Sequence, residues 1–212
     1  MRRALATFLI AALAGCGGLE NVPLMKGVVR GALVGADAHA MVAVVDEPGL
    51  SARPEADGTF VVKDVPHGDV ELLLIVNVSA AERRTVRVTG GGVADVGNVA
   101  GRPAGTVELH FRLPDLLSPR AGSASVHGTA ITQPVDKYGE TALTLPAGCY
   151  LVRGEVPGVP AVERSVCALE GVSLELELDF PRPNGSPGQE GCSVSGCEDG
   201  AVCKADGRCV RP

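Results

Sequence analysis

Asp57-Gly58-Thr59-Phe60-Val61-Val62-Lys63-Asp64-Val65-Pro66-His67-Gly68, followed by Val70-Glu71-Leu72-Leu73-Leu74, reads as turn, strand, turn, strand. Asp-Gly is a tight-turn signal, because glycine accepts the positive φ that such turns need. The β-branched run after it suits a pleated, half-buried surface. Pro-x-Gly then breaks the strand. The same alphabet continues outward. Val86-Arg87-Val88, Thr106 to Phe111 and Val172 to Leu178 alternate apolar and polar with period two, as strands with one buried face do. With 28 Gly and 15 Pro among 212 residues, the chain is interrupted too often for long amphipathic helices. The predicted fold class is all-β.

The pattern repeats. Val65-Pro66-His67-Gly68 matches Leu145-Pro146-Ala147-Gly148 at a spacing of 80 residues, and Arg84-Thr85-Val86 matches Arg164-Ser165-Val166 at the same spacing. Gly91 falls on Gly171 in that register. Gly27-Val28-Val29 matches Gly105-Thr106-Val107 two residues off it, and Gly139 comes one place late relative to Gly58. Two tandem domains of one design account for these matches; chance recurrence of turn residues is the alternative.

The first copy resembles a carboxypeptidase regulatory-like domain, a transthyretin-like β-sandwich. Gly27-Val28-Val29, Ala43-Val44-Val45, Asp57-Gly58-Thr59-Phe60, Val65-Pro66-His67-Gly68 and Asp95-Val96-Gly97 carry the resemblance. It implies a sandwich of about seven strands over residues 26–101, with Phe60 in the core and Pro66-x-Gly68 in a turn. It also implies an accessory or binding role without catalytic residues. The second copy, residues 105–180, departs from the pattern by having Glu140 where Phe60 would align.

The N-terminus has a different character. Met1-Arg2-Arg3 precedes an apolar run from Ala4 to Leu13, and Leu13-Ala14-Gly15-Cys16 closes it. That is a charged n-region, a short h-region and a small-residue cleavage site. The segment resembles a bacterial lipoprotein signal with its lipobox. The resemblance implies a signal peptide at 1–15, a lipid on the thiol of Cys16 and a tether over 16–25. Since Gly17 and not Asp follows the cysteine, it also implies the outer membrane where a cell has two. An ordinary signal peptide with an incidental cysteine is the alternative. A transmembrane helix fits poorly, since a bilayer core needs about 20 apolar residues. Cleavage would remove Arg2 and Arg3 and take the formal charge from -6 to -8. An acidic chain with scattered cations lacks the footprint of a nucleic-acid binder. Arg83-Arg84 reads as a solvated strand or loop face.

Seven cysteines become six once Cys16 is assigned to lipid. An even set in an exported chain reads as disulfides. Cys149 and Cys167 are centred on Gly158, within Pro157-Gly158-Val159-Pro160, so a simple hairpin would set them opposite each other. Pairing with the C-terminal cysteines is the alternative. Pro181 to Gly188 heads an extended linker over 181–191. Beyond it, residues 192–212 hold Cys192, Cys197, Cys203 and Cys209. A segment this short needs staples, and its later spacings are too long for the closely spaced pairs of a zinc site. The expectation is a small disulfide-rich module, with no metal and no cofactor.

Catalytic signatures are sparse. His39, His67, His110 and His127 are scattered, and read as surface or packing residues. Ser123-Ala124-Ser125 reads as a loop without the Gly-x-Ser-x-Gly context of a nucleophile elbow. Gly90-Gly91-Gly92 precedes no helix and reads as a hairpin turn, not a phosphate loop. Asp57-Gly58 and Asp206-Gly207 lack the acidic ladder of a calcium loop. Asp46-Glu47 and Asp69-x-Glu71 match ordinary solvated strands. Sugar stacking needs exposed aromatics. After the signal the chain has Phe60, Phe111, Phe180, Tyr138 and Tyr150, with Tyr138 the best candidate. The expectation is a lipid-anchored, noncatalytic envelope module that is structural or binds a protein partner. The competing expectation is a surface lipoprotein whose ligand is a glycan or peptide.

The anchor is testable. Detergent-phase partitioning should place the full-length protein in the detergent phase and the Cys16→Ser variant in the aqueous phase. Retention of the variant in the detergent phase would contradict a lipobox at Cys16.

Overall fold

The computed structural model describes residues 25–113 and 121–181, together with the backbone of two short paired strands, Val202–Cys203 and Cys209–Val210. The described residues form strands, turns and loops, and none is helical. The first half contributes β1 (Gly27–Leu33), β2 (Met41–Val44), β3 (Ser51–Ala52), β4 (Thr59–Val65), β5 (Gly68–Asn77), β6 (Ala80–Val88) and β7 (Val93–Val99). A short linker strand, β8 (Arg102–Pro103), leads to the second half. There follow β9 (Gly105–Arg112), β10 (Ser123–Val126), β11 (Thr132–Pro134), β12 (Glu140–Leu145), β13 (Gly148–Glu155), β14 (Val162–Ala168) and β15 (Ser173–Asp179).

Each half is a two-layer sandwich, and the strand order is the same in both. A three-stranded sheet runs β4-β1-β7 in the first and β12-β9-β15 in the second. The facing sheet runs β3-β2-β5-β6 in the first, extended by β8, and β11-β10-β13-β14 in the second. In each small sheet the central strand pairs antiparallel with one neighbour and parallel with the other. The fold is therefore all-β, with two tandem sandwiches.

Local chemistry explains where the copies fall out of step. In the first small sheet the β1–β4 register slips between Gly27 and Val29, because β4 carries one extra residue. Asp64 sits there at φ 59°. A short polar side chain is among the few that tolerate this left-handed conformation, and the extra residue forms a β-bulge. β12 pairs with β9 without a break. Gly58 and Gly139 are thus 81 apart, while Pro66 and Pro146 are 80 apart. A second bulge interrupts β7 near Gly97, at φ 67°, where β15 again pairs without a break. Asp95-Val96-Gly97 is this bulge.

The bulge also corrects the alignment of Phe60. Gly58 and Gly139 occupy matching turns, so Phe60 corresponds to Thr141 and not to Glu140. Phe60 lies opposite Gly31, and Thr141 lies opposite Leu109. A β-carbon on Gly31 would meet the Phe60 ring at 3.1 Å and the Gly97 carbonyl at 2.9 Å. The large side chain has moved from one strand to the other, which conserves core volume. Two further expectations change. Ser123-Ala124-Ser125 is strand β10 and not a loop: Ala124 and Val126 point inward, and the serines alternate outward in pairing with β13. Gly90-Gly91-Gly92 is a tight turn but no hairpin, since β6 and β7 belong to different sheets.

The two halves share apolar packing. Along β5, Leu72, Leu73, Leu74, Ile75 and Val76 are all buried. Leu72, Leu74 and Val76 pack in the first core with Val29, Val42 and Phe60. Leu73 and Ile75, with Ala43 and Ala81, belong to the core of the second sandwich. The linker continues the contact, because β8 pairs with β6 and the Ala104 amide donates to Ser79 O at 2.9 Å.

Leu73→Ala should lower stability by about 2–5 kcal/mol, the usual cost of a buried leucine. Urea unfolding followed by fluorescence of probes in each sandwich should show both transitions shifting. A shift confined to the first sandwich would mean that Leu73 does not join the two cores.

Candidate functional site

The junction between the sandwiches holds a polar cluster. Arg83 on β6 reaches back to Glu71 on the neighbouring β5: Nη2 donates to Oε2 at 2.6 Å, and Nε donates to Oε1. The guanidinium also lies 5.8 Å from the ring centroid of Tyr150 in the second sandwich, within cation–π range. The Tyr150 hydroxyl donates to Pro146 O at 2.9 Å. The paired arginine holds the Glu71 carboxyl below its ordinary range. Burial pushes the Tyr150 phenol up to about 12. Ala81, Glu82, Arg83, Arg102, Pro146 and Glu170 border an adjoining cavity of about 280 Å³. Arg102 and Glu170 approach to 3.8 Å across it. On another side of the junction, His39, Met41, Ile75, Gln133 and Thr144 line a second groove of about 280 Å³. The arginine pair is therefore not merely solvated. Arg83 bridges the halves, and Arg84 donates to the Val96 carbonyl at 2.8 Å while Nε pairs with Glu82 at 2.9 Å.

Cys149 and Cys167 lie directly opposite each other on β13 and β14 and form a disulfide. Both face solvent. The matching rung of the first sandwich joins Asp69 to Arg87, an ion pair at 2.9 Å. Cys16, the signal and residues 16–24 lie outside the described residues, as do Cys192, Cys197 and linker residues 182–191. Cys203 and Cys209 face each other in the backbone ladder of their two short strands; their side chains lie outside the description.

His39, His67 and His127 are exposed. His110 is partly buried on the outer face of β9, with Nδ1 3.6 Å from Glu140. Glu108, His110 and Glu175 place their ligand atoms within 4.8 Å of one another. The Glu108-x-His110 spacing was visible, but Glu175 reaches them only through the parallel pairing of β15 with β9. Among the aromatics, Phe60, Phe111, Phe180 and Tyr150 are buried, whereas Tyr138 is 73 % exposed at the turn before β12. Lys137 Nζ lies 4.7 Å from its ring centroid.

No protein-family model matches the chain, and no curated protein matches it. Solved structures with similarity include the minor pilin GBS52 of Streptococcus agalactiae, at 9% identity and TM-score 0.32, covering 76% of this chain and 98% of that one. A Bacillus anthracis TIE protein aligns at 14% identity and TM-score 0.29, over 74% of this chain and 34% of its own. A streptococcal ancillary pilin aligns at 13% identity and TM-score 0.28, over 76% and 64%. The chain thus spans about a third of the TIE protein and less than two thirds of the ancillary pilin.

Tyr150 gives the junction a pH signature. Its folded pKa stands above the ordinary value of 10.0. The stability it contributes is therefore present below pH 10 and is lost as pH rises toward 12, because the unfolded chain releases the proton first. Tyr150→Phe should flatten this alkaline stretch of the urea midpoint against pH. It should also cost about 1 kcal/mol near neutrality through the lost Pro146 bond. An unchanged alkaline profile would show that Tyr150 is not the group responsible.

Proposed function

We propose that this protein is a lipid-anchored, noncatalytic envelope module whose two sandwiches act as one stiff unit. The observation that carries the reading is the shared packing of Ala43, Leu73, Ile75 and Ala81 with the second core. Domains joined by flexible linkers move independently by default. Here five residues separate β7 from β9, and two of them are strand-paired to the first sandwich. A stiff tandem behind the lipobox of Cys16 suits holding a surface at a fixed distance from a membrane. In this reading the first sandwich is a carboxypeptidase regulatory-like module, in keeping with Phe60 in its core and with Pro66 and His67 in the bend between β4 and β5. The disulfide-rich tail adds a further module, and the work done is structural or protein-binding.

A glycan-binding role needs two or more aromatics exposed on one face. Among the described residues the aromatic exposed is Tyr138, which favours a protein partner over a sugar.

The reading is tested in cells making the full chain with a photo-activatable residue at Tyr138, and separately at Val61 and Lys63 on the first sandwich. Discrete protein adducts that disappear in the Cys16→Ser form support a partner met at the envelope. Normal anchoring without adducts at any of the three positions would refute the interaction role.

A further inference from the structure

The duplicated fold supplies its own control for one pair of carboxylates. In the first small sheet, Arg30 of β1 lies opposite Asp95 of β7, and Nε reaches the carboxylate at 2.9 Å. The matching rung of the second small sheet sets Glu108 of β9 opposite Glu175 of β15. Like charges directly opposite each other on a sheet repel. Among the described residues, neither carboxylate has an arginine or lysine partner. The neighbouring Glu177 is already engaged by Arg112 at 2.6 Å. Two residues further along β9, on the same face, His110 stands where the first sandwich has Ala32. The second sandwich therefore has a glutamate where the first has the cation Arg30, and an imidazole beside it on the same face.

We propose that Glu108, His110 and Glu175 form a binding site for a divalent late first-row metal ion, with Zn²⁺ as its representative. The donors are one imidazole nitrogen and two carboxylate oxygens, all within 4.8 Å of one another. Metal bonds of about 2.0–2.2 Å hold tetrahedral donors about 3.3 Å apart. Small rotations of two glutamate side chains close that difference while the strands stay in place. The nitrogen sets the preference, since imidazole suits zinc, copper and nickel whereas calcium and magnesium prefer all-oxygen sites. The sheet face is open, which leaves room for water at the remaining positions. Glu140, 3.6 Å from His110 Nδ1, stands at the rim. A bound ion would clasp the edge strand β15 to the central β9.

The test is calorimetric titration of the full mature chain, thiols blocked with iodoacetamide, with Zn²⁺ and separately with Ca²⁺, alongside thermal melts. The expected result is uptake of Zn²⁺ at this site, weakened about tenfold or more by His110→Ala, with Ca²⁺ binding more weakly. Zinc should raise the melting temperature of the wild type but not of the His110→Ala variant. A Glu108→Gln/Glu175→Gln double variant keeps the proposal falsifiable if His110→Ala folds poorly. Without metal it should melt at or above the wild-type temperature, because the repulsion is gone, and it should no longer respond to zinc. No uptake, or equal uptake by wild type and variants, would overturn the site.

Discussion

The structure turns on β5, a strand buried on both faces. An antiparallel strand at the surface of a sandwich ordinarily alternates, with one face in the core and the other in water. Leu72 to Val76 do not alternate. Their even-numbered side chains complete the first core, and Leu73 and Ile75 enter the second. Exposing either set to water would cost roughly 1.5–3 kcal/mol for each large side chain. The first sandwich therefore needs a cover over this sheet, and the second supplies it. Thr144 follows the same logic at the margin of the contact, where its hydroxyl donates to Val78 O at 3.5 Å.

That asymmetry accompanies a difference between the two sandwiches. β6 has a neighbour on each side, β5 and the linker strand β8. Its counterpart β14 is an edge. The copies fasten the same rung differently: Asp69–Arg87 joins β5 to β6, and Cys149–Cys167 joins β13 to β14. An exposed ion pair contributes about 0–1 kcal/mol, whereas a disulfide closing a loop of this size contributes about 3 kcal/mol by constraining the unfolded chain. The stronger fastening sits on the strand with fewer neighbours. Bulges also separate the two small sheets: the first has them where Asp64 and Gly97 accept left-handed backbone, whereas β9 pairs with β12 and β15 without a break.

Much of this was legible in the chain. Turn residues and period-two runs identified β4, β5, β6, β9 and β15, and the symmetric spacing about Gly158 set Cys149 opposite Cys167. What was not legible depends on pairing between distant strands. A fixed spacing of 80 residues cannot reveal that Asp64 is an inserted bulge, so it aligned Phe60 with Glu140. Ser123 and Ser125 have weak strand propensity, and pairing with β13 overrides it. Two-sided burial did leave a trace, the unbroken Leu72–Val76 run. That trace names no partner, because the partner lies in the other half of the sequence. Arg83 was hidden for a similar reason: its contact with Tyr150 requires both sandwiches and the short linker.

The same division bears on where function sits. Packing leaves little freedom in the first core: Gly31 has no room for a β-carbon beside Phe60 and Val96, so volume can be exchanged between strands but not added. The outer faces of the small sheets carry no such constraint. In the first copy that face is neutralised by Arg30 against Asp95, and in the second the corresponding carboxylates face each other beside an imidazole. The same strand order thus carries a balanced pair on one small sheet and an unbalanced one on the other. Repulsion between Glu108 and Glu175 is tolerable because rigid strands on either side absorb it, and that rigidity comes from the core beneath. The surface where new chemistry is least costly to the fold is thus the one most firmly backed by it.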